Sequence, residues 1–174
     1  MIKIHAGKYK NHYINRVKIK STRETASLVR EAVFNMINVE DKVVLDLFAG
    51  SGSYGITALS LGANTCYFID NNKKAVLTIN NNLKKLKINN NYQLYNVDYE
   101  LFLKRNQTKF DVIFIDPPYN FNNYINLINT IILHLNIKGL IVLEVDNKNN
   151  LIEEANLFNI VKNKKYGNKK IIIM

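Results

Sequence analysis

Phe110-Asp111-Val112-Ile113-Phe114-Ile115-Asp116-Pro117-Pro118-Tyr119 is the stretch on which the fold turns. Its apolar first part reads as a strand buried on both faces, the kind found in the middle of a parallel sheet. Two consecutive prolines then remove ladder donors and fix the backbone, so pairing must stop there. A carboxylate, a rigid carbonyl-bearing turn and an aromatic ring are thereby delivered to one point at the carboxyl end of a strand. In an open α/β sheet that edge is where ligands bind. Asp116, Pro117, Pro118 and Tyr119 are the candidate catalytic group.

On either side of this strand, β-rich runs alternate with helical patterns from Asp41 onward. Strands are expected over Val43–Phe48, Thr65–Ile69, Tyr92–Val97 and Gly139–Val145. Helices are expected over about Tyr54–Leu61, Lys73–Leu86, from after Val97 to about Asn106, Asn123–Leu135 and near Asn149–Asn156. Two last strands flank Tyr166-Gly167-Asn168, a hairpin turn. Such alternation demands a largely parallel sheet with helices on both faces, and the C-terminal antiparallel pair departs from it. The Asn runs at 80–82 and 89–91 read as a helix end and a loop.

The first 40 residues differ. Met1–Ala6 and Tyr13–Lys20 read as strands of a small basic hairpin joined through Gly7. Ser21-Thr22-Arg23-Glu24 matches a capping box, and a helix follows to about Ile37 with Leu28, Val29, Val33, Met36 and Ile37 as its apolar stripe. No linker or repeat separates this extension from the body. The expectation is one domain over 1–174, with 1–40 as the extension and 41–174 as the Rossmann-like body.

Charge restricts the partners. The 24 Lys and Arg against 14 Asp and Glu give +10, which favours a polyanionic partner. Residues 1–30 carry Lys3, Lys8, Lys10, Arg16, Lys18, Lys20, Arg23 and Arg30 against Glu24 alone. The last 13 residues carry Lys162, Lys164, Lys165, Lys169 and Lys170 and no acid, while the middle is nearly balanced. No run approaches the roughly 20 apolar residues of a membrane span, and no signal-peptide core opens the chain, so a cytoplasmic location is expected. The single Cys66 reads as a reduced core residue. His5, His12 and His134 lack metal-ligand spacing, so no metal is expected.

Asp46-Leu47-Phe48-Ala49-Gly50-Ser51-Gly52-Ser53-Tyr54-Gly55 occupies the first strand-to-helix turn. Its glycines satisfy G-x-G-x-x-G, and Asp70 ends the next strand, so the loop alone fits a dinucleotide site equally well. The acids decide. Asp46, Asp70, Asp98, Asp116 and Glu144 all fall at or near carboxyl ends of strands, where their mutual repulsion calls for a cation. S-adenosylmethionine, with a sulfonium, an ammonium and a ribose diol, suits that edge better than NAD. Candidate cofactor contacts are Asp46, Phe48, Ala49, Gly50, Ser51 and Gly52 on the loop, Asp70 for the ribose with Asn71 beside it, and Asp98 with Tyr99 for the adenine.

A sulfonium donor beside Asp-Pro-Pro-Tyr specifies a reaction. The exocyclic amine of a nucleobase is a poor nucleophile because its lone pair is delocalised into the ring. Hydrogen bonds from that amine to the Asp116 carboxylate and the Pro117 carbonyl would localise and aim it, while Tyr119 stacks on a base taken out of its stack. Neither metal nor covalent intermediate is required.

Thr22-Arg23-Glu24-Thr25, Val29-Arg30-Glu31, Phe34-Asn35, the Asp46–Gly52 loop and Asp116–Tyr119 together resemble the RsmD-type 16S rRNA guanine-N2 methyltransferases. The resemblance extends over nearly the whole chain, and the segment around 22–35 is its most particular part. It implies a class I methyltransferase fold, with a mostly parallel seven-stranded sheet and an antiparallel C-terminal hairpin. It implies S-adenosylmethionine as cofactor and one guanine of 16S rRNA in the assembling small ribosomal subunit as target. Lys8, Lys10, Arg23, Arg30 and Tyr119 would meet that substrate, and a monomer is expected. The chain departs from the family at Glu24, where proline is usual, and at Ala26 and Ser27. Adenine-N6 methylation of DNA or RNA is the alternative within the same chemistry. A nicotinamide dehydrogenase would bind NAD, and a non-catalytic assembly factor would show a broken turn or glycine loop.

Overall fold

The computed structural model describes residues 1–17, 27–150, 152 and 156–174. The N-terminal hairpin is β1 (Ile2–Lys3) and β2 (Tyr13–Ile14), and α1 spans Ser27–Phe34. The body runs β3 (Val43–Asp46), α2 (Ser53–Ser60), β4 (Thr65–Asp70), α3 (Lys73–Lys85), β5 (Tyr92–Asn96), α4 (Tyr99–Arg105), β6 (Phe110–Ile115), α5 (Tyr124–Ile132), β7 (Leu135–Asp146), β8 (Lys162–Tyr166) and β9 (Lys169–Ile173). Sheet order is β5-β4-β3-β6-β7-β9-β8. The first five strands are parallel, and β9 runs antiparallel to both β7 and β8. The order reverses between β3 and β6, so their carboxyl ends flank the crevice where such sheets bind ligands.

Strand alternation builds two cores. Val44, Phe68, Val112, Phe114, Val142, Ile171 and Ile173 pack on the hairpin, α1, α2 and α3. Leu45, Ile69, Ile113, Ile115, Ile141, Leu143 and Ile172 pack on α4 and α5. Both faces are thus apolar, as a buried sheet of hydrophobic runs requires. No helix among the described residues is long and apolar enough to cross a membrane.

The extension is tied to the body by hydrogen bonds more than by sheet. Ser60 Oγ donates to the Ala6 carbonyl at 2.6 Å and accepts the Tyr9 N–H at 2.9 Å. At Gly7, with φ +76°, an added Cβ would stand 1.9 Å from the Ser60 carbonyl oxygen, so only glycine allows this approach. The hairpin strands are shorter than the sequence suggests. Asn15 offers its backbone N–H and C=O to the Asn82 side chain instead of to a neighbouring strand. The Lys18–Lys20 end of the expected second strand and the capping box at 21–24 lie outside the described residues.

Three further expectations are corrected. Leu28 is 68% exposed, and Arg30 takes the buried place beside Val29 and Val33 on α1. Asn80–Asn82 sits within α3 and does not end it, and Asn82 is fully buried. Helix α5 stops at Ile132 and β7 begins at Leu135, its pairing with β6 shifting register between Phe110 and Val112. Of the helix expected near Asn149–Asn156, Ile152 is helical and buried, and residues 151 and 153–155 lie outside the described residues.

Candidate active site

Side chains two apart on a strand share a face. Counting from the apolar core, that alternation puts Asp46 with Val44, Asp70 with Phe68, Asp116 with Phe114 and Glu144 with Val142, all on the face covered by α1–α3. Lys169 joins them from β9, in step with Ile171. Four of the five acids singled out in the sequence therefore line one wall of the crevice. The fifth, Asp98, lies beyond β5 and caps α4, its Oδ1 accepting the Glu100 N–H at 2.9 Å.

The acids hold the glycine loop in shape. Asp46 Oδ2 accepts the Gly55 N–H at 2.9 Å, and Asp70 accepts the Gly50 N–H on Oδ2 and the Asn72 N–H on Oδ1, both at 2.8 Å. Gly52 precedes α2 at φ +76°, a left-handed conformation costly for other residues. The Ala49 N–H donates to the Ile69 carbonyl at 3.0 Å, docking the loop on β4. Burial pushes the Asp46 carboxyl up to about 7; the Gly55 bond works against that, and Asp116 and Asp70 add repulsion. Burial also raises Asp70, against its two backbone bonds. A bound cation would relieve both.

At the end of β6, Asp116 is partly buried, Pro117 is buried, and Tyr119 is 89% exposed. The turn closes with the Phe121 N–H donating to the Pro118 carbonyl at 2.9 Å. Behind it, Lys169 Nζ lies 2.8 Å from Glu144 Oε1 and 3.8 Å from Asp116 Oδ1. Glu144 Oε2 accepts the Tyr54 hydroxyl at 3.0 Å, and the Tyr54 ring stacks on Phe114 at 4.8 Å. Phe48, Tyr99 and Phe121 form an aromatic cluster beside the turn, with centroids 5.1–5.9 Å apart. Burial, with the hydroxyl donating to Glu100, pushes Tyr99 up to about 12.

The remaining expected contacts divide. Ser51 is buried and offers its carbonyl to Asn82 Nδ2 at 3.0 Å, while Asn71 is exposed just past Asp70. Lys8 and Lys10 are exposed on the hairpin, as substrate contacts must be. Arg23 lies outside the described residues. Arg30 is not available as a surface contact: it is 2% exposed and donates to the Lys3 carbonyl at 2.8 Å, bracing β1 against α1. The C-terminal lysines also turn inward. Lys170 is fully buried among Asn149 and Asn150, Lys169 serves the acid wall, and Lys162 donates to the Met36 carbonyl, leaving Lys164 and Lys165 exposed.

Three residues that matter here carry no signal of their own. In the sequence Lys169 is one more basic residue near the C-terminus, Asn82 is the end of an Asn run, and Phe121 is a loop aromatic. The alternation Lys169-x-Ile171-x-Ile173 does hold the clue to Lys169, once the neighbour of β9 is known.

A sheet of this order, with an acid-lined crevice and an Asp-Pro-Pro-Tyr turn at its switch point, is the class I fold of S-adenosylmethionine-dependent methyltransferases. The family described as Conserved hypothetical protein 95 matches residues 2–174, and the chain belongs to that family, the RsmD-type methyltransferases. It is 35% identical over 170 residues to Ribosomal RNA small subunit methyltransferase D of Buchnera aphidicola subsp. Baizongia pistaciae, covering 94% of this chain and 86% of that protein. The solved structure of yhhF from Escherichia coli superposes with a TM-score of 0.84 at 26% identity, over 99% of this chain and 96% of that one. SMU.776, solved in complex with S-adenosylhomocysteine, shares the fold at a TM-score of 0.73 and 18% identity, over 84% of this chain and 48% of that one.

Proposed function

We propose that this chain transfers a methyl group from S-adenosylmethionine to the exocyclic N2 amine of a guanine in the 16S rRNA of the assembling small ribosomal subunit. The observation that carries the reading is the Asp116-Pro117-Pro118-Tyr119 turn, seated at the switch point one strand from the buried Asp46. Family membership and the Buchnera relative's rRNA substrate support the choice of polymer.

The donor set fits the cofactor. Asp46 and Asp70, both pushed up by burial, gain from an ammonium and a sulfonium nearby. Asp70 spends one lone pair on each oxygen, and a carboxylate has about four, so it can still accept from a ribose diol. Asp98 keeps acceptor capacity beyond its cap, and Phe48 and Tyr99 offer apolar faces beside it. When bound, S-adenosylmethionine supplies the electrophilic methyl. Asp116 and the Pro117 carbonyl accept from the amine and orient its lone pair, and Tyr119 holds the base by stacking.

The polyanion surface is that of the N-terminal extension and α3. Residues 71–97 hold Lys73, Lys74, Lys84, Lys85 and Lys87 and no acid. Lys85 Nζ donates to the Tyr13 carbonyl at 2.6 Å, which joins this run to the basic hairpin. We read 1–174 as one catalytic unit in which 1–40 meets substrate.

Methylation of purified small subunits, naked rRNA and duplex DNA with labelled cofactor, followed by nucleoside analysis, tests the proposal. N2-methylguanosine from subunits or rRNA is expected. N6-methyladenine would replace the target, and NAD binding in place of S-adenosylhomocysteine would overturn the class of reaction.

A further inference from the structure

We propose that Lys169 is a positioning residue for Asp116, delivered by the antiparallel C-terminal hairpin to the back of the Asp-Pro-Pro-Tyr turn. The proposal rests on the methyl-transfer reading and assigns its site a member from the last strand. The hairpin is built for the delivery. Its turn is fastened to the end of β7, where the Asn147 N–H donates to the Asn168 carbonyl at 2.9 Å and Asn147 Nδ2 to the Gly167 carbonyl at 3.1 Å. Lys169 then pairs with Asp146 at the carboxyl end of β7, and the alternation that buries Ile171 and Ile173 turns Lys169 into the crevice.

Glu144, fully buried next to it, fixes the ammonium by a 2.8 Å ion pair and is itself held by the Tyr54 hydroxyl. At 3.8 Å from Asp116 Oδ1 the ammonium acts through its field more than through a hydrogen bond. Burial works to lower the Lys169 pKa, but Asp116 and Glu144 raise it above its ordinary value, so the charge is present at neutral pH. Asp116 is thereby held in one orientation beside a fixed positive charge, as a group that must accept from an amine requires. A carboxylate aimed from behind by a fixed charge does not need to be a strong base.

Three variants test this on the full chain: K169M, K169R and the double variant E144Q/K169M. Removing Lys169 alone leaves Glu144 buried without this cation and lowers stability. The double variant removes both charges of the pair while Gln still accepts from Tyr54. The expected result is a kcat lowered by about 10- to 100-fold in K169M and equally in the folded double variant. The KM for S-adenosylmethionine and the Kd for S-adenosylhomocysteine should stay within about threefold, and K169R should recover part of kcat. A double variant with wild-type kcat would make Lys169 only a structural partner of Glu144, and the proposal would fall. If K169M does not fold, the double variant decides alone. Asp116→Ala run alongside separates the two levels: if it stays active, the turn chemistry itself is wrong, whereas an inactive D116A with a fully active double variant sinks only the role of Lys169.

Discussion

A carboxylate as buried as that of Asp46 is costly to ionise, and the cost shows in its pKa near 7 against an ordinary 3.8. Between those values the folded chain holds a proton that the unfolded chain has released. Stability contributed by this group therefore falls as pH rises from about 4 to 7 and is level above that. Asp46→Asn keeps an acceptor for the Gly55 N–H without the charge. The variant should melt several degrees higher than the wild type at pH 8 and lose the decline between pH 4 and 7, by calorimetry. It should also bind S-adenosylmethionine at least tenfold more weakly if, as proposed, the charge that burdens the fold is what attracts the cofactor's cation. A variant less stable than wild type at pH 8 would contradict this account. Asp116 differs, since the proposed reaction sets it against the substrate amine. Asp116→Ala should lower methyl transfer by at least a thousandfold while S-adenosylhomocysteine affinity in calorimetry changes less than about threefold.

The elements are held in place by a few buried polar side chains. Asn82, on α3, accepts the Asn15 N–H at 2.7 Å and donates Nδ2 to the Asn15 and Ser51 carbonyls at 3.0 Å each. One side chain thus joins the N-terminal extension, α3 and the glycine loop. Asn82→Ala leaves these three backbone groups without their partner inside the protein. Each such loss costs roughly 1–3 kcal/mol, so urea denaturation should show about 3 kcal/mol or more of destabilisation. An effect under about 1 kcal/mol would mean that Asn82 is not the clasp the geometry indicates. Antiparallel β8 and β9 have a comparable function. They cover the edge of β7, and because β9 runs antiparallel to it, the first residue of β9, Lys169, lies at the carboxyl edge beside Asp146.

For the whole molecule the charge is sorted by the fold. Cations gather on the hairpin and α3, acids line the crevice, and several C-terminal lysines are consumed inside. RNA affinity should therefore fall steeply with salt as counterions are released. Replacing Lys8, Lys10, Lys84 and Lys87 with Gln should reduce the slope of log K against log salt by about 0.7–0.9 for each phosphate that is no longer neutralised. S-adenosylhomocysteine binding should be unchanged in that variant. An unaltered salt slope would move the RNA contact to another surface.

Strand–helix alternation, the arrest of β6 at Pro117-Pro118 and the placing of Asp46, Asp70 and Asp116 at strand ends were all legible in the sequence. These are local consequences of side-chain period, proline geometry and glycine turns, and each can be read without knowing what lies opposite. Only the assembled fold shows that Lys169 belongs to the acid wall, that Arg30 is buried and that Asn82 joins three segments. Lysine on the surface and lysine beside a buried glutamate have the same local sequence signature. Arg30 lies on a helix whose buried face is set by the hairpin docking there, and Leu28 is exposed for the same reason. Which face of β9 meets the crevice depends on its antiparallel pairing with β7, a neighbour more than twenty residues away in the chain. Such facts follow from strand order and register, which no short window of sequence contains.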